Sequence, residues 1–171
     1  YVMALAREMR KEYRLIHERG LILQVDCPDL AMERARFFQH DSLDQFVQMV
    51  DLHVRAINQA TAGIPADRLR LHLCWGNYDG PHTHDVPLEA VLPVVLKARV
   101  GALSLPLANP RHQHEYRVLK QHRIPDGMLL LPGVIDTTTN YVEHPEVVAD
   151  RIVAAVDAVG DRSRVIASTD C

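Results

Sequence analysis

The chain has 171 residues, 47% of them hydrophobic and 24% charged, and a formal net charge of −3. That is the composition of a soluble domain that buries a core; no basic excess suits a nucleic-acid partner, and no apolar run is long enough to span a bilayer. Three widely spaced cysteines make no disulfide framework, and residues 1–4 carry no signal-peptide pattern, so a reducing, cytoplasmic location is expected.

Val2, Leu5, Ala6, Met9, Tyr13 and Ile16 recur at helical spacing over residues 2–19, and Gly20 ends the run. Leu21–Asp26 is a buried-type strand followed by Cys27-Pro28-Asp29. Ser42 caps a helix expected from Leu43 to about Ala62, stopped by Gly63 and Pro65. The next strand opens at Leu69 and runs into a long polar loop at residues 77–85. Pro87 suits the first turn of a helix reaching about Lys97, which Pro93 should kink or interrupt. Strands are expected at 102–105, 128–134 and 165–169, with helices starting near Glu115 and at Pro145, the latter stopped by Gly160.

Five strands alternating with helices mean a parallel sheet. No Gly-x-Gly-x-x-Gly follows the first strand, so a dinucleotide fold has no support. The fold class is α/β, a single domain over 1–171 that carries about the C-terminal five βα units of a (β/α)8 TIM barrel. Such barrels take about 250 residues. The missing initiator Met and a chain that stops right after a strand are expectations of a fragment or truncated product.

Polar chemistry collects at one end of every strand. The first end has Gln24 and Asp26, the second His72, Cys74 and Asn77, the third Asn109, Arg111, His112, His114 and Glu115. Asp136 and Asn140 follow the fourth, Asp170 and Cys171 the fifth, while the opposite ends are plain turn material. In a β/α barrel the C-terminal rim is where sites are built.

Period-2 geometry sends His72 and Cys74 to one side, about 7 Å apart along the strand. Imidazole and thiolate suit zinc, and the alternative is two core-facing residues. Cys171, at the end of the last strand, raises the metal reading. Asp26 either sets a turn or accepts an amine or hydroxyl in the barrel mouth. His82 and His84 read as solvated loop histidines before metal ligands. The group of His112, His114 and Glu115 likewise reads as a solvated helix start before a metal cluster. Cys27 and Trp75 read as packing residues, with Trp75 stacking on a flat substrate as the second option.

Five ordered motifs then carry a resemblance: Gln24-Val25-Asp26-Cys27-Pro28, His72-x-Cys74-Trp75-Gly76-Asn77, Ala108-Asn109-Pro110-Arg111-His112-x-His114-Glu115, Pro132-Gly133-Val134-Ile135-Asp136 and Thr169-Asp170-Cys171. Together they resemble the cobalamin-independent methionine synthase family, and more closely its short single-barrel relatives, which include the epoxyalkane:coenzyme M transferases. The resemblance implies strands four to eight of the barrel and alkyl transfer to a thiol at zinc. It implies His72, Cys74 and Cys171 as metal ligands, with Asp26, His72 and Cys74 as catalytic residues. Gln24, Asp26, Asn77, Asn109 and Asp136 are the implied substrate contacts. The partners it implies are a small thiol (homocysteine or coenzyme M) and an alkyl donor such as a methyl-folate. It involves no nucleic acid and no membrane, and leaves room for a homo-oligomer.

The chain departs from the family where a Ser-x-Glu pattern supplies a glutamate ligand, because here the strand reads Ser104-Leu105-Pro106. Three protein ligands still suffice for a catalytic zinc, which keeps one position open. Two other readings stand beside this one. One is a metal-free barrel of the uroporphyrinogen decarboxylase kind, and the other is an inactive remnant. Half a barrel with open sheet edges is also expected to dimerise or aggregate.

Overall fold

The computed structural model describes residues 1–171. Strands β1 (Leu23–Cys27), β2 (Leu69–Leu73), β3 (Ala102–Leu105), β4 (Leu129–Ile135) and β5 (Ser168–Thr169) form one sheet in the order β1-β2-β3-β4-β5, every pair parallel. The helices are α1 (Val2–Glu18), α2 (Glu33–Arg36), α3 (Leu43–Ala60), α4 (Leu88–Val95), α5 (Tyr116–Gln121) and α6 (Pro145–Val159). Right-handed crossovers that never reverse direction put all the crossover helices on one face and curl the sheet like a barrel wall.

The register explains the two faces. Leu23, Val25, Leu69, Leu71, Leu103 and Leu105 point toward the helices and belong to a 33-residue core with Phe46, Val50, Val54, Val91, Leu92 and Leu119. On the opposite face Asp26, His72, Ser104 and Leu131 stand in one row across four strands, with Gln24, Arg70, Ala102 and Leu129 in the row below.

Local chemistry sets most helix ends. Ser42 and Gln45 form a reciprocal capping box at the start of α3. His144 caps α6, Pro145 takes its first position, and Gly160 closes it at φ +79°. Three expectations shift. Pro87 is the N-cap of α4 rather than its first residue, because the Leu88 N–H is capped at 3.0 Å by the distant Glu115 carboxylate. Pro93 sits inside α4, which continues to Val95. The last strand shrinks to two residues: the segment before it touches β4 only through an isolated bridge, Leu130 to Val165, after a short 3-10 turn at Arg162–Arg164.

No helix is long and apolar enough to cross a membrane. The outer edge of β1 and the far edge of β5 pair with no other strand.

Candidate metal centre

β2 delivers His72 to the barrel-facing row, and its end places Cys74 two residues on. Gly76 then turns the chain at φ +98°, where an added Cβ would lie 2.9 Å from Met32 Sδ. The Met32 N–H donates to the Cys74 carbonyl at 3.1 Å, which ties the turn to the loop after β1.

Cys171 arrives from the other end of the sheet, 97 residues later, and its Sγ lies 2.8 Å from Cys74 Sγ. One ligand atom each of His72, Cys74 and Cys171 lies within 4.8 Å of the others. Asn77 Nδ2 and Thr137 Oγ1 both donate to the Cys171 carbonyl, which anchors the third ligand to the loops after β2 and β4.

The two ring nitrogens of His72 differ in their surroundings. His72 Nδ1 is 3.2 Å from Ser104 Oγ, its neighbour in the row, whereas His72 Nε2 is buried without any partner. A buried nitrogen left without a hydrogen bond is costly, and one beside two sulfurs is what a soft cation would satisfy. The donor set of one nitrogen and two sulfurs fits zinc. Cys74 is held down to about 5 by its hydrogen bond with Cys171, then by His72 and the Gly76 N–H, against the opposing effect of burial. Cys171 is pushed up correspondingly by Cys74 and by burial, so the two sulfurs share one proton between them.

Of the expected substrate contacts, Gln24 and Asp26 are exposed on the barrel-facing side of β1, and Asp26 Oδ1 is 3.9 Å from His72 Nε2. Asn77 is exposed but its amide holds Cys171. Asp136 Oδ1 accepts from the Thr138 N–H and hydroxyl at 2.9 and 2.7 Å. Asn109 is 3% exposed, with Nδ2 on Asp170 and Oδ1 taking the backbone N–H groups of Arg111 and His112. One Nδ2 hydrogen is thereby used, and its amide serves the framework of the loop first.

The reading of His82, His112 and Glu115 as solvated also fails. The His82 side chain is 2% exposed, and Asp85 bridges His82 Nδ1 and His112 Nε2 at 2.9 Å each. His112 stacks on Trp75 with centroids 4.0 Å apart, and Trp75 donates to the Val86 carbonyl at 2.7 Å. Glu115 is buried at the start of α4, so it neither joins a metal cluster nor replaces the missing glutamate ligand. His84 and His114 stay exposed, and Cys27 and Trp75 pack as expected. The two residues the motifs left unassigned are Ser104, legible only once the β2–β3 register aligns it with His72, and Asp85, for which the sequence held no signal.

Pro106 follows Ser104 by two residues, on the same side by alternation. It lines a small cleft with Trp75, Asn77, Arg111 and Cys171. An apolar ring therefore stands where the family's glutamate is expected.

No family model matches the chain. Among curated proteins, the 2-hydroxypropyl-CoM lyase of Xanthobacter autotrophicus is 25% identical over a region that covers 79% of this chain and 42% of that protein. Among solved structures, a B12-independent methionine synthase from Shewanella sp. W3-18-1, in complex with selenomethionine, superposes with a TM-score of 0.73 at 20% identity. That match covers 99% of this chain and 47% of the other. The chain thus spans less than half the length of either relative. The structural match carries the α/β barrel fold, and with the sequence relative it bears out the family resemblance of the five motifs. Both relatives are named as enzymes.

Proposed function

We propose that this chain holds zinc through His72 Nε2, Cys74 Sγ and Cys171 Sγ and transfers an alkyl group to a small thiol. The favoured reaction is that of a 5-methyltetrahydropteroyltriglutamate–homocysteine S-methyltransferase, in methionine biosynthesis. The observation that supports the reading is one His72 ring nitrogen and two sulfurs within 4.8 Å of one another, with His72 Nε2 buried and without a hydrogen-bond partner.

Zinc, when bound, favours the deprotonated form of a thiol whose ordinary pKa is about 8.5 and leaves it nucleophilic. The chain's own residues do the rest. In this reading Ser104 Oγ, 3.2 Å from His72 Nδ1, accepts its proton and leaves the Nε2 lone pair to the metal. Asn77 and Thr137 hold Cys171 in reach of Cys74. Asp26, beside His72 and open to the barrel mouth, accepts the amino group of an amino-acid thiol. The substrate sulfur forms its bond to the methyl carbon as the donor's C–N bond breaks, and the leaving nitrogen takes up a proton.

The relative named 2-hydroxypropyl-CoM lyase supports a second reading, in which the thiol is coenzyme M and the alkyl donor an epoxide. There the epoxide C–O bond breaks and the oxygen is protonated. Asp26 separates the two readings: Asp26→Asn raises KM for homocysteine, which has an amino group, and leaves a thiol without one unaffected.

Metal analysis of the purified protein tests the centre. About one zinc per chain is expected, lost in Cys74→Ser and in His72→Gln. Protein that takes up no zinc on reconstitution would overturn the reading.

A further inference from the structure

We infer that Cys74 and Cys171 form a thiol–disulfide switch, in which a hydroperoxide closes a bond between the two sulfurs and so ejects the metal. The bond needs only the sulfur pair; the ejection rests on the zinc reading above. The two Sγ atoms lie 2.8 Å apart. An S–S bond is about 2.05 Å long. Two thiolates on one tetrahedral zinc, each about 2.3 Å from it, stand about 3.8 Å apart. The observed separation falls between the two, so about 1 Å of side-chain travel in either direction selects one arrangement and excludes the other.

The surroundings give the two sulfurs different parts. Cys171 is exposed beyond the last strand, where an oxidant reaches it. Cys74 is 6% exposed, shielded from direct attack yet in contact with the sulfur that is struck. Hydrogen bonds hold both in place: Asn77 and Thr137 donate to the Cys171 carbonyl, and the Gly76 N–H donates to Cys74 Sγ at 3.1 Å. The third cysteine does not compete, because Cys27 is 3% exposed within the apolar core under the helices. One open thiol touching one covered thiol is the arrangement of an attacked and a resolving cysteine.

The chemistry balances in two steps. The Cys171 sulfur attacks the O–O bond of a hydroperoxide, ROOH. It gains one oxygen as a sulfenic acid, and the other oxygen leaves as the alcohol ROH with the thiol's proton. The Cys74 sulfur then displaces the hydroxyl from Cys171, which departs as water with the Cys74 proton, and the S–S bond forms. Two electrons pass from the thiol pair to the peroxide. Both sulfur donors of the cluster are consumed, and His72 by itself is too few ligands for zinc.

Hydrogen peroxide is the probe. Mass spectrometry of treated protein, alkylated after denaturation, should show the loss of two hydrogens, one cysteine still open to alkylation, and proteolytic peptides joined through Cys74 and Cys171. From zinc-loaded protein, a chromogenic chelator should read about one zinc released per bond formed, and dithiothreitol should restore uptake. Cys74→Ser should stop at a sulfenic acid on Cys171, trapped by dimedone, while Cys27→Ser should behave as wild type. If Cys171 runs on to a sulfinic acid without the cross-link, or the link involves Cys27, the switch is overturned. Zinc uptake without a cross-link likewise sinks the switch and leaves the metal reading standing. A cross-link in protein that never takes up zinc supports the sulfur pair's redox chemistry and overturns the metal reading.

Discussion

A buried imidazole answers to its carboxylates more than to its burial. Burial is the largest single influence on His112 and pulls it down, yet Asp85 and Glu115 together raise it above its ordinary 6.5. Glu115 mirrors this: burial pushes it up, but His112, the Leu88 N–H and His114 hold it below 4.5. The signs are opposite. The stability from His112 is complete below about pH 6.5 and drains away as pH rises through its folded value. That from Glu115 is complete above about pH 4.5 and drains away as pH falls through its folded value. Urea unfolding across pH 5 to 9 should therefore show a decline on the alkaline side that disappears in His112→Gln. Asp85→Asn leaves two buried rings without their shared carboxylate and should cost about 1–3 kcal/mol near neutral pH. A midpoint unchanged from wild type would show that this network does not hold the loop after β2.

Among the elements, β5 is the least self-sufficient. Two ladder residues cannot hold a strand in place, and its register on β4 is broken between Gly133 and Ile135. Side-chain chemistry compensates: Asp170 hooks the loop after β3, and Gly133 lets it approach. A Cβ built on Gly133 would lie 1.8 Å from Asp170 Oδ1 and 2.8 Å from Asp170 N, a backbone atom that cannot swing away. Gly133→Ala should cost about 1–3 kcal/mol of overpacking and also lower the zinc content, because Cys171 follows Asp170 directly. Thermal melts and metal analysis of one preparation check both halves. At the start of α3, Ser42→Ala removes one arm of the capping box and should cost about 1 kcal/mol while leaving zinc content unchanged. Finding the two variants alike in metal content would sever the link between the β4–β5 contact and the centre.

For the molecule as a whole, the open wall is the governing fact. The unpaired edge of β1 lies beside exposed Leu21 and Ile22, and Tyr141, Val142 and Val153 are exposed near and along α6. An unpaired parallel strand next to apolar surface is a template for another chain. The 171-residue polypeptide by itself should self-associate, giving a dimer or larger species by size exclusion with light scattering. A cooperative monomer at micromolar concentration would show that the wall closes without a partner.

The order of the strands and of the longer helices, the Ser42 cap and the side of the strand that His72 and Cys74 share were legible in the sequence. Each depends on contacts within a few residues: side-chain period, a Ser42 cap, a glycine able to take positive φ. Cys171 stood out by its place at the end of the last apolar run, and the resemblance added its role as a ligand. What tertiary structure alone decided was long-range: Cys171 meeting Cys74 across 97 residues, Glu115 capping a helix 27 residues before it, and Asn109 tied to Asp170. A polar residue looks solvated until its partner is known, and partners this distant are brought together by sheet register and helix packing, which no local pattern encodes.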